Sequence, residues 1–196
     1  MPSVAMAKSA TDLNYRHVKP DDLDTIANLE AASYDPSEAA SRENIAKRIE
    51  IAQSRPALFL VATAHTVVEN CDMELGICTQ EEIETVVAFV NATLTDSELV
   101  TDQSMDVHDD NGKTVAIHSV CVAPQYRGQG IAEKLLMNFL DGLRAANSGD
   151  AKCYKRAALL SRERLIKLYE KAGFTCIGKS QVVHGPEPWF DCTLDL

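Results

Sequence analysis

Ile117-His118-Ser119-Val120-Cys121-Val122-Ala123-Pro124-Gln125-Tyr126-Arg127-Gly128-Gln129-Gly130-Ile131-Ala132 is the stretch on which the reading of this chain turns. Its first half is rich in β-branched residues and predicts a strand over Thr114–Val122. Its second half opens a helix, because Ile131, Leu135, Leu136, Phe139, Leu140 and Leu143 recur at helical spacing after Pro124. Between the two lies a turn of small residues. At the start of a helix several N–H groups lack carbonyl partners, and with the helix dipole they form a site for an anion. Gly128, Gly130 and Ala132 are small enough for a pyrophosphate to approach the main chain, and Arg127 adds a charged donor. Gln129 and Ile131 alternate outward and inward between them. The spacing is neither the G-x-G-x-x-G of a dinucleotide fold nor the lysine-bearing loop of a nucleoside triphosphatase.

Working outward, residues 13–18 predict a short strand, followed by a helix opened by Pro20, Asp21 and Asp22 and running to about Ser33. Ala39, Ile45, Ile49 and Ala52 predict a second helix over 38–53, ended by Pro56. Strands follow at 57–62 and 84–93, with a long polar loop expected at 66–82 and a mobile acidic loop at 96–113. After the long helix come a strand at 154–160 and a helix bearing Leu165, Leu168, Tyr169 and Ala172, capped by Gly173. Strands at 175–181 and 189–194, joined through Gly185-Pro186, close the chain. This order predicts a mixed sheet with helices on both faces rather than a purely parallel one.

The 196 residues fit a single domain, 1–196, with 1–11 as a flexible tail. The apolar fraction of 45% and charged fraction of 24% are those of a soluble globular protein. No apolar run suits a membrane span and no secretory leader opens the chain, so a cytoplasmic location is expected. A net charge of -10 disfavours nucleic acid and mildly favours cationic small molecules. Six cysteines without any C-x-x-C pair argue against a zinc knuckle or a thioredoxin-type redox motif. A monomer is the working expectation for oligomeric state.

The 117–132 run resembles the signature of the GNAT superfamily of N-acetyltransferases, in which R/Q-x-x-G-x-G/A follows the fourth strand. Leu168-Tyr169-Glu170-Lys171-Ala172-Gly173-Phe174 is similar to that family's carboxy-terminal tyrosine, glycine and phenylalanine segment. Within the superfamily, Ile117-His118-Ser119-Val120 and the early Asp35-Pro36-Ser37-Glu38-Ala39-Ala40-Ser41 resemble the serotonin (arylalkylamine) N-acetyltransferases and fungal polyamine acetyltransferases. The resemblance implies a mixed α/β (α+β) fold with a central, mostly antiparallel sheet, and acetyl-CoA as co-substrate with no metal. It implies that Arg127, Gly128, Gln129, Gly130, Ile131 and Ala132 hold the diphosphate. It also implies that backbone groups of Val120, Cys121 and Val122 pair with the pantetheine arm.

Transfer to an amine needs a neutral nitrogen, so an alkylammonium must first lose a proton. His118 is the first candidate base, since its ordinary pKa suits proton removal near neutrality. Without the turn beside it, the preferred reading would be a histidine that only hydrogen-bonds within the sheet, and the neighbouring turn shifts the balance. Vertebrate members of the resembling group carry two histidines on this strand; here the earlier position is Ala116. Glu38 matches an acidic position that serves as base in insect relatives, and reads equally as a helix first-turn acid. Tyr169 resembles the family tyrosine that donates a proton to the departing thiolate; otherwise it is a packing residue. Cys121 lies beside the site without an evident activating partner, so direct attack by the amine is preferred to an acetyl-cysteine. Ser161 is placed to cap the following helix.

The expected acceptor is a small primary amine. Apolar walls around Tyr34, Trp189 and Phe190 would suit an arylalkylamine, and an acidic pocket a polyamine or diamine. A non-catalytic acyl-CoA-binding module and a protein amino-terminal acetyltransferase are the remaining readings.

Overall fold

In the computed structural model the apolar period of 131–143 becomes a 16-residue helix, Ile131–Ala146, and all six of its periodic residues are at most 1% exposed. At about 1.5–3 kcal/mol for each large apolar side chain removed from water, this face is a major source of stability. The structure describes residues 13–72, 77–148, 153–183 and 185–196; the tail expected at 1–11 lies outside them. In chain order the elements are β1 (Asn14–His17), α1 (Leu23–Ala31), α2 (Arg42–Ser54), β2 (Phe59–Asp72), β3 (Ile77–Thr95) and α3 (Asp102–Asp106). They continue with β4 (Thr114–Val122), α4 (Ile131–Ala146), β5 (Arg156–Ser161), α5 (Ile166–Lys171), β6 (Thr175–Lys179) and β7 (Phe190–Asp195).

The strands form one seven-stranded sheet in the order β1-β2-β3-β4-β5-β7-β6. Only β4 and β5 run parallel; the other neighbours are antiparallel, as expected of a mixed, mostly antiparallel sheet. α4 packs against β2, β3 and β4, and α1 and α2 pack on each other and on β3.

Two irregularities of β4 shape the site. Asn91 of β3 faces Ser119, but the next residue, Ala92, faces Ile117, so His118 is an extra residue with no partner. Such a bulge re-aims side chains locally. On its other edge β4 pairs with β5 only from Thr114↔Arg156 to Ile117↔Leu159, whereas β5 stays paired with β7 through Ser161↔Phe190. Beyond Ile117 the two parallel strands therefore part, and the main chain of 118–122 has an edge without a strand beside it.

Four expectations are corrected. Of the segment expected as a polar loop, 66–72 and 77–82 are strand: β2 and β3 stay paired through Cys71↔Cys78 and Asp72↔Ile77. A two-stranded ribbon is solvated on both sides, so its polar composition conceals the strand. The second helix starts at Arg42 rather than at residue 38, because the Ser41 side chain accepts the Asn44 N–H at 3.2 Å and fixes the N-cap there. The acidic loop 96–113 contains α3, whose capping box is formed by Thr101 and Ser104. Ser161 does not cap a helix; its hydroxyl donates to the Arg162 carbonyl at 2.9 Å, and Arg162 occupies the N-cap.

Candidate active site

The parting of β4 from β5 opens a cavity of about 1020 Å³ that runs from the Arg127–Ala132 turn past His118 to α2 and α3. At one end, Gly128 and Gly130 have φ of 75° and 74°. This left-handed backbone disfavours any side chain, and a Cβ at either position would project into open space. The first main-chain bond into α4 is Lys134 N–H to Gly130 O at 3.1 Å, so the amides of 131–133 are unused by the helix. Arg127 is anchored by Nε to the Val122 carbonyl at 2.8 Å and reaches Ser33 Oγ at 3.4 Å.

In the middle, His118 Nε2 lies 2.8 Å from Thr93 Oγ1, which lies 3.4 Å from the Ser104 carbonyl. A hydroxyl has one proton. If Thr93 gives it to Ser104, Nε2–H must donate to Thr93, and this polarity satisfies both contacts and leaves the Nδ1 lone pair free. Nδ1 is buried with no partner among the described residues. Burial, with the Arg48 charge as a second cause, holds the His118 pKa well below the ordinary 6.5, so the ring is neutral at physiological pH.

Tyr169 is 7% exposed and packs edge-on to Phe174, with ring centroids 6.1 Å apart. Burial first, and the neighbouring Cys121 and Cys192 next, push its pKa up, so the phenol keeps its proton. Its hydroxyl has no hydrogen-bond partner among the described residues, and the side chain lines the cavity.

Glu38 lies in the turn before α2, its amide bonded to the Asp35 carbonyl at 2.8 Å. It is not the helix first-turn acid expected, since α2 begins only at Arg42, and its carboxylate forms an ion pair with Arg162 in which both side chains are almost buried. Arg162 also donates to the Glu187 and Pro188 carbonyls, and its guanidinium carbon sits over the Trp189 ring. A Cβ at Gly185, where φ is 76°, would clash with Glu38 Oε1. Three segments are thus drawn together over one side of the cavity.

Of the sequence-selected residues, His118, Tyr169, Glu38, Val120, Val122, Arg127, Gly128, Gly130, Ile131 and Ala132 line this one cavity. Gln129 and Cys121 do not. The Gln129 amide is exposed and donates to the Gln125 carbonyl at 3.3 Å. Cys121 turns into the core, its thiol donating to Glu30 Oε2 at 3.3 Å. Burial first and Glu30 second push its pKa well up, which removes its nucleophilic form.

Sequence reasoning missed Glu30, Arg48 and Arg162 as site residues. Glu30 is 2% exposed and accepts from the Ala40 amide and Ser119 Oγ, each at 3.0 Å. The signal was available for two of them. Glu30 follows Ile26 by one helical turn, and Arg48 shares the buried stripe of Ile45, Ile49 and Ala52. A charged residue at a core-facing position is rarely buried without a task.

Among the described residues no helix is long and apolar enough to cross a membrane, and no cluster suits a metal. A family profile described as an acetyltransferase (GNAT) domain matches residues 76–176. Over 100 residues the chain is 33% identical to serotonin N-acetyltransferase of Mesocricetus auratus, covering 51% of this chain and 46% of that protein. The chain thus spans about half the length of the curated relatives it matches. The loading GNATL domain of CurA from Lyngbya majuscula superposes with a TM-score of 0.66 at 14% identity, covering 93% of this chain and 97% of that one. A chimera of spermidine N-acetyltransferase SpeG from Vibrio cholerae and hSSAT does so with a TM-score of 0.58 at 15% identity, covering 94% and 96%. At these identities the two structures speak for a shared fold.

Proposed function

We propose that this chain, which belongs to the GNAT acetyltransferase family, moves the acetyl group of acetyl-CoA to the primary amine of a small arylalkylamine by direct attack. The carrying observation is a single cavity that joins an anion-binding turn to a neutral, unpartnered His118 and a protonated Tyr169. The residues present fit the coenzyme, since the unused amides of 131–133 and the open face over Gly128 and Gly130 suit a diphosphate. When bound, acetyl-CoA supplies the acetyl carbon: the N–C bond forms, the C–S bond breaks, and CoA leaves as the thiol.

The chain's own groups manage the protons. His118 Nδ1 takes one from the acceptor ammonium, directly or through a water, and Thr93 with Ser104 fixes the ring so that Nδ1 is the basic nitrogen. The Tyr169 hydroxyl, protonated and without an internal partner, gives its proton to the departing sulfur. Arg127 and the α4 amides hold the diphosphate, and the unpaired edge of 118–122 offers main-chain groups to the amides of the pantetheine arm. Glu38 serves as a tether rather than the base, because its carboxylate is engaged by Arg162. Tyr34 and Trp189 in the cavity wall support an aromatic acceptor, in keeping with the likeness to a serotonin N-acetyltransferase.

A polyamine acceptor is the second reading, favoured by the exposed Asp102 and Asp106 at the α3 end of the cavity. The test is to incubate the protein with acetyl-CoA and a panel of tyramine, tryptamine, serotonin, spermidine and an amino-terminal peptide while following free thiol. Release with the aromatic amines is expected. CoA binding with no release above background would instead make the chain a non-catalytic acyl-CoA-binding module.

A further inference from the structure

Arg48 is a buried cation without an anion. It is 6% exposed, yet it makes no ion pair among the described residues. Its contacts are Asn91 Oδ1 at 3.4 Å and the Met105 carbonyl at 3.2 Å, which leave most of the guanidinium N–H bonds without an acceptor. Behind it Asn91 Nδ2 is also buried without a partner. Donors therefore accumulate here, and an isolated charge in such a place is costly unless something neutralises it.

The nearby carboxylates are already engaged. Glu30 lowers the cost of the charge from a distance, but its oxygens accept from Ala40, Ser119 and Cys121. Asp106 also favours the charge from a distance, but it is exposed and takes the Asn44 amide at 3.4 Å. Of the other arginines in the cavity wall, Arg162 and Arg164 have carboxylate partners and Arg127 stands at the phosphate turn. The cavity thus has two cations without carboxylates, one at each end, with His118 between them.

We infer that Arg48 is an anion-binding residue of the acceptor subsite, and that the acceptor is an amine that also carries a carboxylate. This rests on the acetyltransferase reading and narrows it to amino-acid-like members of the arylalkylamine class. A planar, forked donor suits a carboxylate, and its position beside His118 orients the amine of the same molecule toward the base. A polycation is disfavoured by the same charge.

The experiment measures kcat/KM for matched acceptors, tyrosine against tyramine and 4-aminobutyrate against butylamine, in the wild type, Arg48→Met and Arg48→Lys. Calorimetric titration with 3-phenylpropionate, which has the anion but no amine, is run alongside. The expected result is a preference of about tenfold or more for the carboxylate member of a pair, lost in Arg48→Met and partly kept in Arg48→Lys. Saturable 3-phenylpropionate binding should be abolished by Arg48→Met. Equal or better use of tyramine and butylamine by the wild type overturns the inference while leaving acetyl transfer intact. If no amine is acetylated but 3-phenylpropionate binds through Arg48, the acetyltransferase reading fails and the anion site stands. Should Arg48→Met not fold, the wild-type ratio and Arg48→Lys decide: a wild type that uses the plain amines as well or better, or a carboxylate preference undiminished in Arg48→Lys, sinks the idea.

Discussion

The guanidinium carbon of Arg162 lies 3.7 Å from the centroid of the Trp189 ring, while Nη2 of the same group is paired with the Glu38 carboxylate. One side chain so joins the turn before α2, the end of β5 and the segment that precedes β7. Removing it strands the Glu38 carboxylate in a nearly buried position. Arg162→Met is expected to lower unfolding stability by about 3–5 kcal/mol, and the double variant with Glu38→Gln should recover part of it. Urea unfolding of the wild type and the two variants checks this; equal midpoints for the single and double variants would refute the pairing.

His118 should work at lower pH than an ordinary histidine. Its folded pKa lies well below 6.5, and a base acts when unprotonated, so the acid limb of kcat/KM should fall below that value. The same depression contributes stability above the unfolded pKa, and this is lost as pH drops through the folded one. Thermal melting of the wild type should therefore decline below about pH 6.5, and less so in His118→Asn. His118→Ala should lose roughly 10²–10⁴ in turnover at neutral pH, and less at high pH where free amine is plentiful. A loss equal at every pH would remove the base assignment.

Tyr169→Phe deletes one hydroxyl and keeps the ring against Phe174. The expected cost is roughly 10²–10⁴ in kcat, with CoA affinity and melting temperature near those of the parent. An acetyl-donor thioester with a more acidic leaving thiol should rescue the variant. Unchanged kcat would reduce Tyr169 to a packing residue.

Gly130→Val places a branched side chain at φ 74°, over the face where the diphosphate is expected. Strain of about 1–2 kcal/mol should lower stability modestly, whereas CoA affinity measured by calorimetry should fall by at least about tenfold. Comparable affinity in the variant would place the coenzyme elsewhere.

Legibility in the sequence followed the physics of each segment. α4 and the turn before it were readable because an uninterrupted apolar period and two glycines leave few alternatives. The outer hairpin was not, since the alternation that reveals a strand depends on one dry face, and Val67 and Ile83 there are 44% and 40% exposed. Glu38 was assigned to a helix because nothing local announces an ion pair with a residue 124 positions away. Arg48 is hidden in the sequence because the apolar stripe of Ile45, Ile49 and Ala52 around it suffices to predict α2 whatever charge it carries.

The divergence of β4 from β5 leaves the sheet with a gap that another extended molecule can close. A ligand rich in amides would be stitched into the framework instead of resting on it, and loading should stiffen both banks of the fissure together. Amide exchange at 119–122 and 160–162 should slow in concert when the coenzyme arm enters, making occupancy and mechanical coherence of the protein one property.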